Sequence, residues 1–341
     1  MKKRTVLIGC GNAGVLHELD PLRGRPASLI GGLLEYKDDF DLVGAVDLEI
    51  QRAKKVKHFF PEAQLFTDYR KVLKALKPDV VIISTWTSTH RVIFNDCLAN
   101  GVSGIVLEKP VGKSLKEAKD MLSRWKKNKI PVVVNHIRRW EPWYRYLKDV
   151  LAEKPLGRLR SVYGKVLLGS VPPKYEKLMY DLEGGGTMFH DGTHLVDLLY
   201  FYFKRLKLVG SHVLMGRIID KTSHALLLGD GRVPIHIEVG GQRKYFEFSI
   251  GFEFESGAVK LGNGIMEWYE ARQSTMYTGY RDLKKQPFPV DQFKKYTTSG
   301  FSGPFHELKK AFLNDQHETQ SSLEDGVKAM DLMTKILLGS Q

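Results

Sequence analysis

Two short segments of this sequence combine residue types that can bind a dinucleotide and act on a substrate beside it. The first is a glycine-rich run that follows the apolar residues 5–8 near the N-terminus. It contains Gly9, Cys10, Gly11, Asn12, Ala13 and Gly14. The second is Glu108-Lys109-Pro110, which follows the apolar residues 105–107. Together they predict a nicotinamide dinucleotide with an ammonium group beside its reactive ring, an arrangement suited to hydride transfer.

The spacing of the three glycines is typical of the turn between the first strand and the first helix of a Rossmann fold. Gly9 allows the tight turn, Gly11 allows the backbone to approach a pyrophosphate, and Gly14 allows close packing of helix on strand. The N-terminus of the following helix then offers free N–H groups to the phosphates. The alternative is an ordinary glycine-rich turn, but the strand before it and the β-α rhythm after it favour the dinucleotide.

An acidic residue, Asp47, ends the second predicted strand, residues 42–46. An acid in this place binds both ribose hydroxyls and repels a 2′-phosphate, so we predict NAD and disfavour NADP. The interval from Gly14 to Asp47 exceeds the usual spacing of about 20 residues. We attribute the surplus to a Pro-, Gly- and Arg-rich insertion, residues 19–28. Arg23 and Arg25 in this insertion either face a phosphate or lie in an exposed loop.

Size and composition exclude several other classes of protein. The chain has 341 residues, of which 43% are hydrophobic, and this suits two domains with their own cores. Two cysteines give neither a disulfide framework nor a four-cysteine zinc site. No apolar run approaches the roughly 18 residues of a transmembrane helix, and the first strand is too short for a signal-peptide core. We therefore expect a cytoplasmic protein with no membrane partner.

The net charge of +13 raises the question of nucleic-acid binding. The lysines are scattered over predicted helix faces and form no single dense basic arm. No helix-turn-helix or stacked aromatic groove accompanies them. We therefore predict no nucleic-acid partner and only a general bias toward anionic substrates or nucleotides.

The elements that must position these residues change character along the chain. The first part alternates apolar strands with helical patterns, which predicts a parallel sheet covered on both faces. Its predicted strands are 5–8, 42–46, 80–84, 104–107 and 131–135, and its predicted helices are 29–36, 50–59, 69–76, 90–100 and 115–128. The second part has the predicted strands 159–168, 206–218, 224–228, 233–239, 244–254 and 258–261 and the predicted helices 193–203, 304–313 and 322–338.

We therefore predict an α/β, Rossmann-type, doubly wound parallel sheet followed by an α+β domain with a largely antiparallel, open-faced sheet. The predicted domains are an NAD-binding Rossmann domain, residues 1–135, and a substrate-binding and oligomerisation domain, residues 136–341. The C-terminal helices are free to pack back on the first domain, and Ser321 or Ser322 can cap the last of them. An open sheet face is a typical subunit interface, so we expect a homodimer or homotetramer.

Taken in order, these motifs resemble those of the glucose-fructose oxidoreductase/inositol dehydrogenase (Gfo/Idh/MocA) family. The matching pieces extend over nearly the whole chain. They are the glycine loop, Asp47, residues 85–90, Glu108-Lys109-Pro110, residues 138–142, the glycines 184–186, His194, Asp197 and residues 322–326. The ordered set is specific for the family and says little about the substrate. The resemblance implies a nicotinamide-dependent oxidoreductase that acts on CH–OH groups.

The resemblance also implies a role for each catalytic candidate. Oxidation of a carbinol requires a base and a cation that stabilises the developing alkoxide. Lys109 corresponds to the catalytic lysine, with Glu108 and Pro110 positioning it and the cofactor. His194 corresponds to the proton acceptor, a role that suits the near-neutral pKa of histidine in general. Asp197, one turn further on, either orients the imidazole or packs.

The sequence departs from the family pattern Asp-x-Gly-x-His before His194. The acid position is His190, and Asp191 follows it. Either His190 replaces the acid as a substrate ligand, or Asp191 does its work. The spacing of His190 and His194 also invites comparison with the zinc motif H-E-x-x-H. Because the acid is aspartate, a glycine interrupts the motif and no third ligand is evident, we predict no metal.

The remaining candidates surround the cofactor and the substrate. Residues predicted to line the cofactor cleft are Thr85, Trp86, Thr87 and His90, with Asn135 on the carboxamide side. The indole of Trp86 either covers a ring of the cofactor or packs at the end of its strand. Arg138 and Arg139 are predicted to bind hydroxyls or a phosphate of the substrate.

The sequence thus predicts an NAD-dependent dehydrogenase or reductase of a sugar, inositol or nucleotide-sugar. The basic residues favour a phosphorylated or nucleotide-linked substrate. Two alternatives remain open. One is an enzyme that recycles bound NAD to drive elimination, hydrolysis or epimerisation with the same residues. The other is a non-catalytic, NAD-responsive regulator, against which the presence of Lys109 and His194 argues.

Overall fold

The computed structural model describes residues 1–169, 186–215, 220–314 and 316–339. The chain divides into two compact units. The first comprises Met1–Trp140 and Thr298–Met330, and the second comprises Glu141–Thr297 and Asp331–Gln341. This division differs from a single boundary after residue 135, because Phe305 and Leu308 near the C-terminus lie in the hydrophobic core of the first unit.

The first unit contains a six-stranded parallel sheet in the order β3-β2-β1-β4-β5-β6. The strands are β1 Lys3–Ile8, β2 Phe40–Val46, β3 Gln64–Phe66, β4 Val80–Ile83, β5 Gly104–Leu107 and β6 Val132–Val134. This is the strand order of a doubly wound Rossmann sheet, as the sequence predicted. Strand β3 was not predicted, because its three partly exposed residues form no apolar run.

Helices cover the strands at most of the predicted places. They are α1 Leu29–Glu35, α2 Ile50–Lys54, α3 Tyr69–Leu76, α4 Thr87–Ala99, α5 Leu115–Asn128, α6 Pro142–Glu153, α7 Thr193–Tyr202, α8 Gly303–Leu313 and α9 Leu323–Leu338. The predicted helix 50–59 is divided into α2 and a 3-10 helix, Lys55–His58. Helix α6 was not predicted; it begins with Pro142, a residue favoured in the first turn. Among the described residues, no helix is long and apolar enough to cross a membrane.

The second unit contains an eight-stranded sheet in the order β14-β13-β12-β11-β7-β10-β9-β8. The strands are β7 Leu159–Gly169, β8 Leu206–Met215, β9 Asp220–Gly229, β10 Val233–Arg243, β11 Glu247–Phe254, β12 Gly257–Gly262, β13 Ile265–Gln273 and β14 Arg281–Gln286. Its pairings are antiparallel except for β7 with β10. Strands β13 and β14 were not predicted, and β14 is rich in charged residues.

Candidate active site

Two of the three loop glycines are required by the protein itself. Gly9 has a φ of +97°, and a Cβ there would lie 2.3 Å from the carbonyl oxygen of Ser84. A Cβ on Gly14 would lie 2.3 Å from the carbonyl oxygen of Gly9. A Cβ on Gly11 would meet no atom within 4 Å. Packing therefore explains Gly9 and Gly14, whereas Gly11 adjoins open space.

The N–H groups of this loop point to an anion-binding function. In the part of the chain that the structure describes, the N–H groups of Gly11, Asn12, Ala13 and Gly14 donate to no carbonyl or side chain. Successive free N–H groups form a concave surface with partial positive charge, which suits a phosphate. The carbonyl groups of the same residues are engaged, for example that of Gly11 with the N–H of Val15 at 2.9 Å.

The element after the glycine loop differs from the prediction. The sequence predicted an α-helix whose N-terminus faces the phosphates, but the loop leads into a 3-10 helix, Leu16–Leu19. The predicted insertion follows, and α1 begins only at Leu29, whose N–H donates to the carbonyl of Ala13 at 2.8 Å. The helix is displaced because the insertion separates the loop from it. The loop N–H groups, rather than a helix terminus, are thus the available donors.

A buried carboxylate at the start of the insertion, that of Glu18, bonds to residues at its end. Glu18 is only 6% exposed. It accepts hydrogen bonds from the N–H of Ala27 at 2.8 Å and from Ser28 Oγ at 2.9 Å. Arg25 Nε lies 3.3 Å from Glu18, and Arg23 Nε lies 3.3 Å from Asp20. Both arginines of the insertion therefore pair with carboxylates at its N-terminal end, and contact with a phosphate stays one of the two alternatives.

The acid after β2, Asp47, lies against the glycine loop, and its predicted contact with the ribose stays a prediction. Asp47 Oδ2 accepts a hydrogen bond from the N–H of Cys10 at 2.9 Å, and Oδ1 accepts one from the N–H of Glu49 at 2.9 Å. Glu49 in turn pairs with Arg52 at 2.7 Å. Burial, followed by the charge of Asp47, raises the pKa of the Cys10 thiol, so this cysteine is a packing residue and not a nucleophile.

The motif Glu108-Lys109-Pro110 follows β5 and is joined to the end of β6. Glu108 is 7% exposed, and its Oε1 accepts a hydrogen bond from Asn135 Nδ2 at 2.5 Å. Its Oε2 accepts one from the N–H of Lys109 at 3.2 Å. The side chain of Lys109 is half-buried, and Pro110 is buried. Sequence reasoning placed Asn135 near the cofactor but did not foresee its bond to Glu108.

The segment after β4 is divided between exposed and buried residues. Thr85 and Thr87 are half-buried, and Trp86 is 45% exposed, which disfavours simple packing of its indole. The prediction that His90 lines the cofactor cleft is not supported. His90 is fully buried, and its two ring nitrogens lie 3.0 Å from the carbonyl oxygens of Pro110 and Thr85. Burial lowers the pKa of His90, and its ring joins the two segments instead of facing a ligand.

Arg139, the second of the two arginines after β6, is buried and paired with a carboxylate. Arg139 is 5% exposed, and its Nη1 lies 3.3 Å from Asp325 Oδ2. A buried guanidinium requires such a carboxylate, so the structure corrects the prediction that Arg139 binds substrate. Arg138 is half-buried and keeps its predicted role as a hypothesis.

In the second unit, the two candidates for the acid position contact each other. His190 Nδ1 lies 2.7 Å from Asp191 Oδ2, and their side chains are 32% and 19% exposed. Both lie in a turn of π-helix, Met188–Gly192, directly before α7, on which His194 is half-buried. Turns of this kind occur often at functional sites. The two alternatives left open by the sequence are thus one bonded pair.

A buried carboxylate that sequence reasoning missed anchors this turn. Asp220 is 2% exposed and accepts hydrogen bonds from Thr187 Oγ1 at 2.5 Å and from the N–H of Met188 at 3.0 Å. Burial raises the pKa of Asp220, and these hydrogen bonds partly offset the effect. Asp197, on α7, is fully buried. Glycines 184 and 185 and residues 216–218 of a predicted strand lie outside the described residues.

No group of three or more His, Cys, Asp or Glu side chains within the described ranges is arranged to hold a metal ion. In particular, His190 and His194 gain no third ligand there. The chemistry that the described residues offer is therefore anion binding by the loop, an ammonium group at Lys109 and a histidine–carboxylate pair.

Comparisons with known proteins show which proteins this chain is similar to. Residues 3–136 match the model of the GFO_IDH_MocA oxidoreductase family, with its NAD-binding Rossmann fold. The chain is 23% identical over 249 residues to scyllo-inositol 2-dehydrogenase (NADP(+)) IolW of Bacillus subtilis (strain 168), with 68% of each chain covered. It is 23% identical over 318 residues to inositol 2-dehydrogenase of Burkholderia multivorans, which covers 86% of this chain and 87% of that one.

Among solved structures, the WlbA dehydrogenase from Bordetella pertussis in complex with NADH and UDP-GlcNAcA has a TM-score of 0.76. The two chains are 20% identical, and the match covers 98% of this chain and 95% of that one. At this level of identity the likeness establishes the shared fold. Residues 3–136 thus match the NAD-binding Rossmann domain of the Gfo/Idh/MocA oxidoreductases, and the chain is similar in sequence to inositol dehydrogenases that carry out this kind of oxidation.

Proposed function

We propose that this protein is an NAD-dependent dehydrogenase or reductase that acts on a secondary hydroxyl, or the matching ketone, of a sugar, inositol or nucleotide-sugar. The observation that carries the proposal is the surface beside Gly11. Packing gives no reason for a glycine there, and the neighbouring N–H groups have no partner among the described residues. A pyrophosphate that approaches the backbone accounts for both facts.

The choice of NAD rests on the charges around Asp47. The Asp47 carboxylate lies at the glycine loop, and a second acidic residue, Glu49, follows it. The backbone N–H of Glu49 donates a hydrogen bond to Asp47 Oδ1 at 2.9 Å. Two carboxylates oppose the 2′-phosphate of NADP, although Arg52 beside them offers a cation that would accept it. The relatives include both kinds of enzyme: the name of IolW specifies NADP(+), and the WlbA structure contains NADH. We expect NADPH to bind more weakly than NADH.

The catalytic roles follow from chemistry and family resemblance. A bound nicotinamide would supply the acceptor for the hydride that leaves the carbinol carbon. Lys109 hydrogen-bonds the substrate oxygen and stabilises the developing alkoxide, while His194 accepts the hydroxyl proton. We assign the role of the missing family acid to the pair His190–Asp191, because a carboxylate on Nδ1 fixes the tautomer and orientation of an imidazole. Arg138 is proposed to bind an anionic or hydroxyl group of the substrate.

The open face of the second sheet supports a further proposal, a homodimer or homotetramer. Tyr163 on β7 is 47% exposed and stacks on His236 of β10, with ring centroids 5.2 Å apart. His212 and His224, opposite each other on β8 and β9, are also exposed. Exposed aromatic side chains grouped on one face are typical of protein interfaces.

The proposed function is tested by titrating the protein with NADH and with NADPH and following cofactor fluorescence, in wild type and in Gly11→Ala. The variant should lose at least about tenfold in affinity, because a methyl group would occupy the space of the phosphate. Gly24→Ala is the matched control, since a Cβ there also meets nothing within 4 Å but lies in the insertion. Retained affinity in Gly11→Ala would refute the proposed pyrophosphate site.

A second test identifies the substrate class. Small molecules released from freshly purified, acid-denatured protein are measured by mass spectrometry, and inositols, sugars and nucleotide-sugars are then assayed with NAD for NADH formation. Wild-type protein that binds NADH but reduces NAD with no member of this panel would refute the proposed reaction. Tight NAD binding without net NADH formation would favour the cofactor-recycling alternative.

A further inference from the structure

The backbone that carries Lys109 is held through a buried carboxylate. Glu108 is 7% exposed, so its two oxygens need hydrogen-bond partners. One oxygen receives the side-chain amide of Asn135 at 2.5 Å, and the other receives the backbone N–H of Lys109 at 3.2 Å. The orientation of this carboxylate is therefore coupled to the position of Asn135. A substitution of Asn135 should therefore change the position of Lys109.

Asn135 follows the edge strand of the sheet and has little support from that strand alone. Strand β6 has three residues, Val132–Val134. On its inner side, the N–H of Asn135 donates to the carbonyl of Leu107 at 2.8 Å. A three-residue edge strand with an unpaired outer side is prone to fray. Its outer side must therefore be braced if Asn135 is to stay in register.

A segment near the C-terminus of the sequence, residues 319–325, provides this brace, and we call it the tail clamp. Ser321 is its central residue. Its carbonyl accepts a hydrogen bond from the N–H of Val134 at 2.7 Å, and its Oγ donates to the carbonyl of Val134 at 2.8 Å. The same Oγ lies 3.2 Å from His136 Nδ1. Ser321 thus holds the residues on both sides of Asn135.

The next residues of the tail clamp fix it to helix α9 and to the chain beyond β6. Ser322 Oγ accepts a hydrogen bond from the N–H of Asp325 at 3.2 Å, and Asp325 Oδ2 accepts one from the N–H of Ser322 at 3.1 Å. This reciprocal arrangement is a capping box. Asp325 also pairs with the buried Arg139 at 3.3 Å. The clamp is therefore anchored on the C-terminal side of Ser321.

The backbone of Ser321 is in a strained conformation. Its φ is +57°, and it is fully buried. A residue other than glycine in the left-handed region is retained only where its surroundings determine it. Glycine would relieve the strain and lose the hydroxyl that reaches Val134 and His136. The serine side chain is therefore the part of the residue that the structure uses.

We propose that Ser321 and Asn135 are positioning residues for Lys109, with Ser321 bracing Asn135 and Asn135 orienting Glu108. The inference rests on the proposed function for the role of Lys109, but the contacts that carry it do not. If it holds, loss of either side chain lets the Glu108 carboxylate turn and moves the lysine. The change should then be confined to Lys109. Removal of both side chains together should have no larger effect than removal of Asn135 alone.

The test measures the acylation rate of individual lysines by an amine-reactive ester, followed by peptide mass spectrometry. It needs neither substrate nor cofactor. Asn135→Ala should change the rate at Lys109 at least about threefold, and Ser321→Gly should change it in the same direction. The double variant should match Asn135→Ala alone, because residues acting through one path are not additive. Exposed lysines such as Lys294 should keep their rates.

Thr319→Val is the matched control. Thr319 Oγ1 belongs to the same clamp and touches the same strand, at 3.4 Å from the carbonyl of Val132, but it does not flank Asn135. In this variant the acylation rate of Lys109 should stay within about 1.5-fold of wild type, as expected for the loss of a weak hydrogen bond at 3.4 Å. Ser321→Asn, which tolerates positive φ, replaces Ser321→Gly if the glycine variant does not fold.

Three results would overturn the inference: unchanged labelling of Lys109, equal changes at all lysines, or effects of the two substitutions that multiply. Once a substrate is known, Asn135→Ala should lower kcat more than it raises the KM for NAD. Because labelling is independent of turnover, a specific change at Lys109 in a protein without dehydrogenase activity would refute the proposed function and leave the positioning intact.

Discussion

Strands β4, β5 and β6 of the first sheet are buried at every position, whereas β9 of the second sheet alternates from Ser223 onward between buried residues and residues that are half-buried or exposed. A parallel sheet covered on both faces has room for polar side chains only where its strands end. An antiparallel sheet with one open face distributes them along its whole length.

The consequence is a difference in how much a polar residue reveals. In the first unit the candidate residues follow directly on the carboxyl ends of strands: Asp47 after β2, Thr85 after β4, Glu108 and Lys109 after β5, and Asn135 after β6. Ligands of doubly wound sheets bind at this edge. In the second sheet a charged or aromatic residue on the outer face, such as Lys165 or Tyr163, has no such meaning by itself.

The contrast between the two sheets would be wrong if substitutions at the carboxyl edge of the first sheet left activity unchanged. Lys109→Met should lower turnover about 10²- to 10⁴-fold, because it removes the cation that stabilises the alkoxide. NADH affinity, measured by fluorescence, should change by less than about threefold if the lysine acts on the substrate. Lys113→Met is the control, since Lys113 is exposed and pairs only weakly with Glu117 at 3.8 Å. Equal losses in both variants would contradict the assignment.

The next largest effect concerns stability at the same edge. Gly14→Ala should lower the free energy of unfolding by about 3 kcal/mol, because its Cβ would lie 2.3 Å from the carbonyl oxygen of Gly9 and the backbone must shift. Urea denaturation measures the change. Gly24→Ala should stay within about 0.5 kcal/mol of wild type. A Gly14→Ala variant as stable as Gly24→Ala would mean that the third glycine is not required by packing.

A smaller effect is expected from the buried carboxylate of the second unit. Burial raises the pKa of Asp220 above its unfolded value, so the folded state binds the proton more tightly. The resulting stabilisation is present at pH below the unfolded pKa and is lost as the pH rises through the folded pKa. The urea midpoint of Asp220→Asn relative to wild type should therefore rise between pH 4 and pH 8. Asp38→Asn, with a side chain 89% exposed, should show no such trend.

The smallest effect on folding is expected on the open face. Tyr163→Ser should change the free energy of unfolding by less than about 0.5 kcal/mol, because the ring is 47% exposed. If this face joins subunits, the same substitution should shift the protein toward monomer in sedimentation velocity experiments. Leu22→Ser, at a residue 93% exposed in the first unit, should leave the oligomeric state unchanged. A monomeric wild type would refute the interface.

Much of the first sheet could be predicted because its buried strands are continuous apolar runs, such as Val80–Ile83. Strands β3 and β14 could not, because one is short and the other is charged and depends on its pairing with β13. The capping role of Ser322 was predictable from its spacing to Asp325. The partners of His90 and Arg139 were not, since each bonds to a residue distant in sequence.

The sequence by itself determined the doubly wound sheet, the glycine loop, the acid at position 47 and the resemblance to the Gfo/Idh/MocA oxidoreductases, because these depend on local patterns and fixed spacings. Only the tertiary structure decided which candidates are engaged in contacts within the protein. It buried His90 and Arg139 as structural contacts, joined His190 to Asp191, and connected Ser321 through Asn135 to Glu108. The physical reason is that burial and hydrogen-bond partners depend on residues far apart in sequence, which no local pattern records.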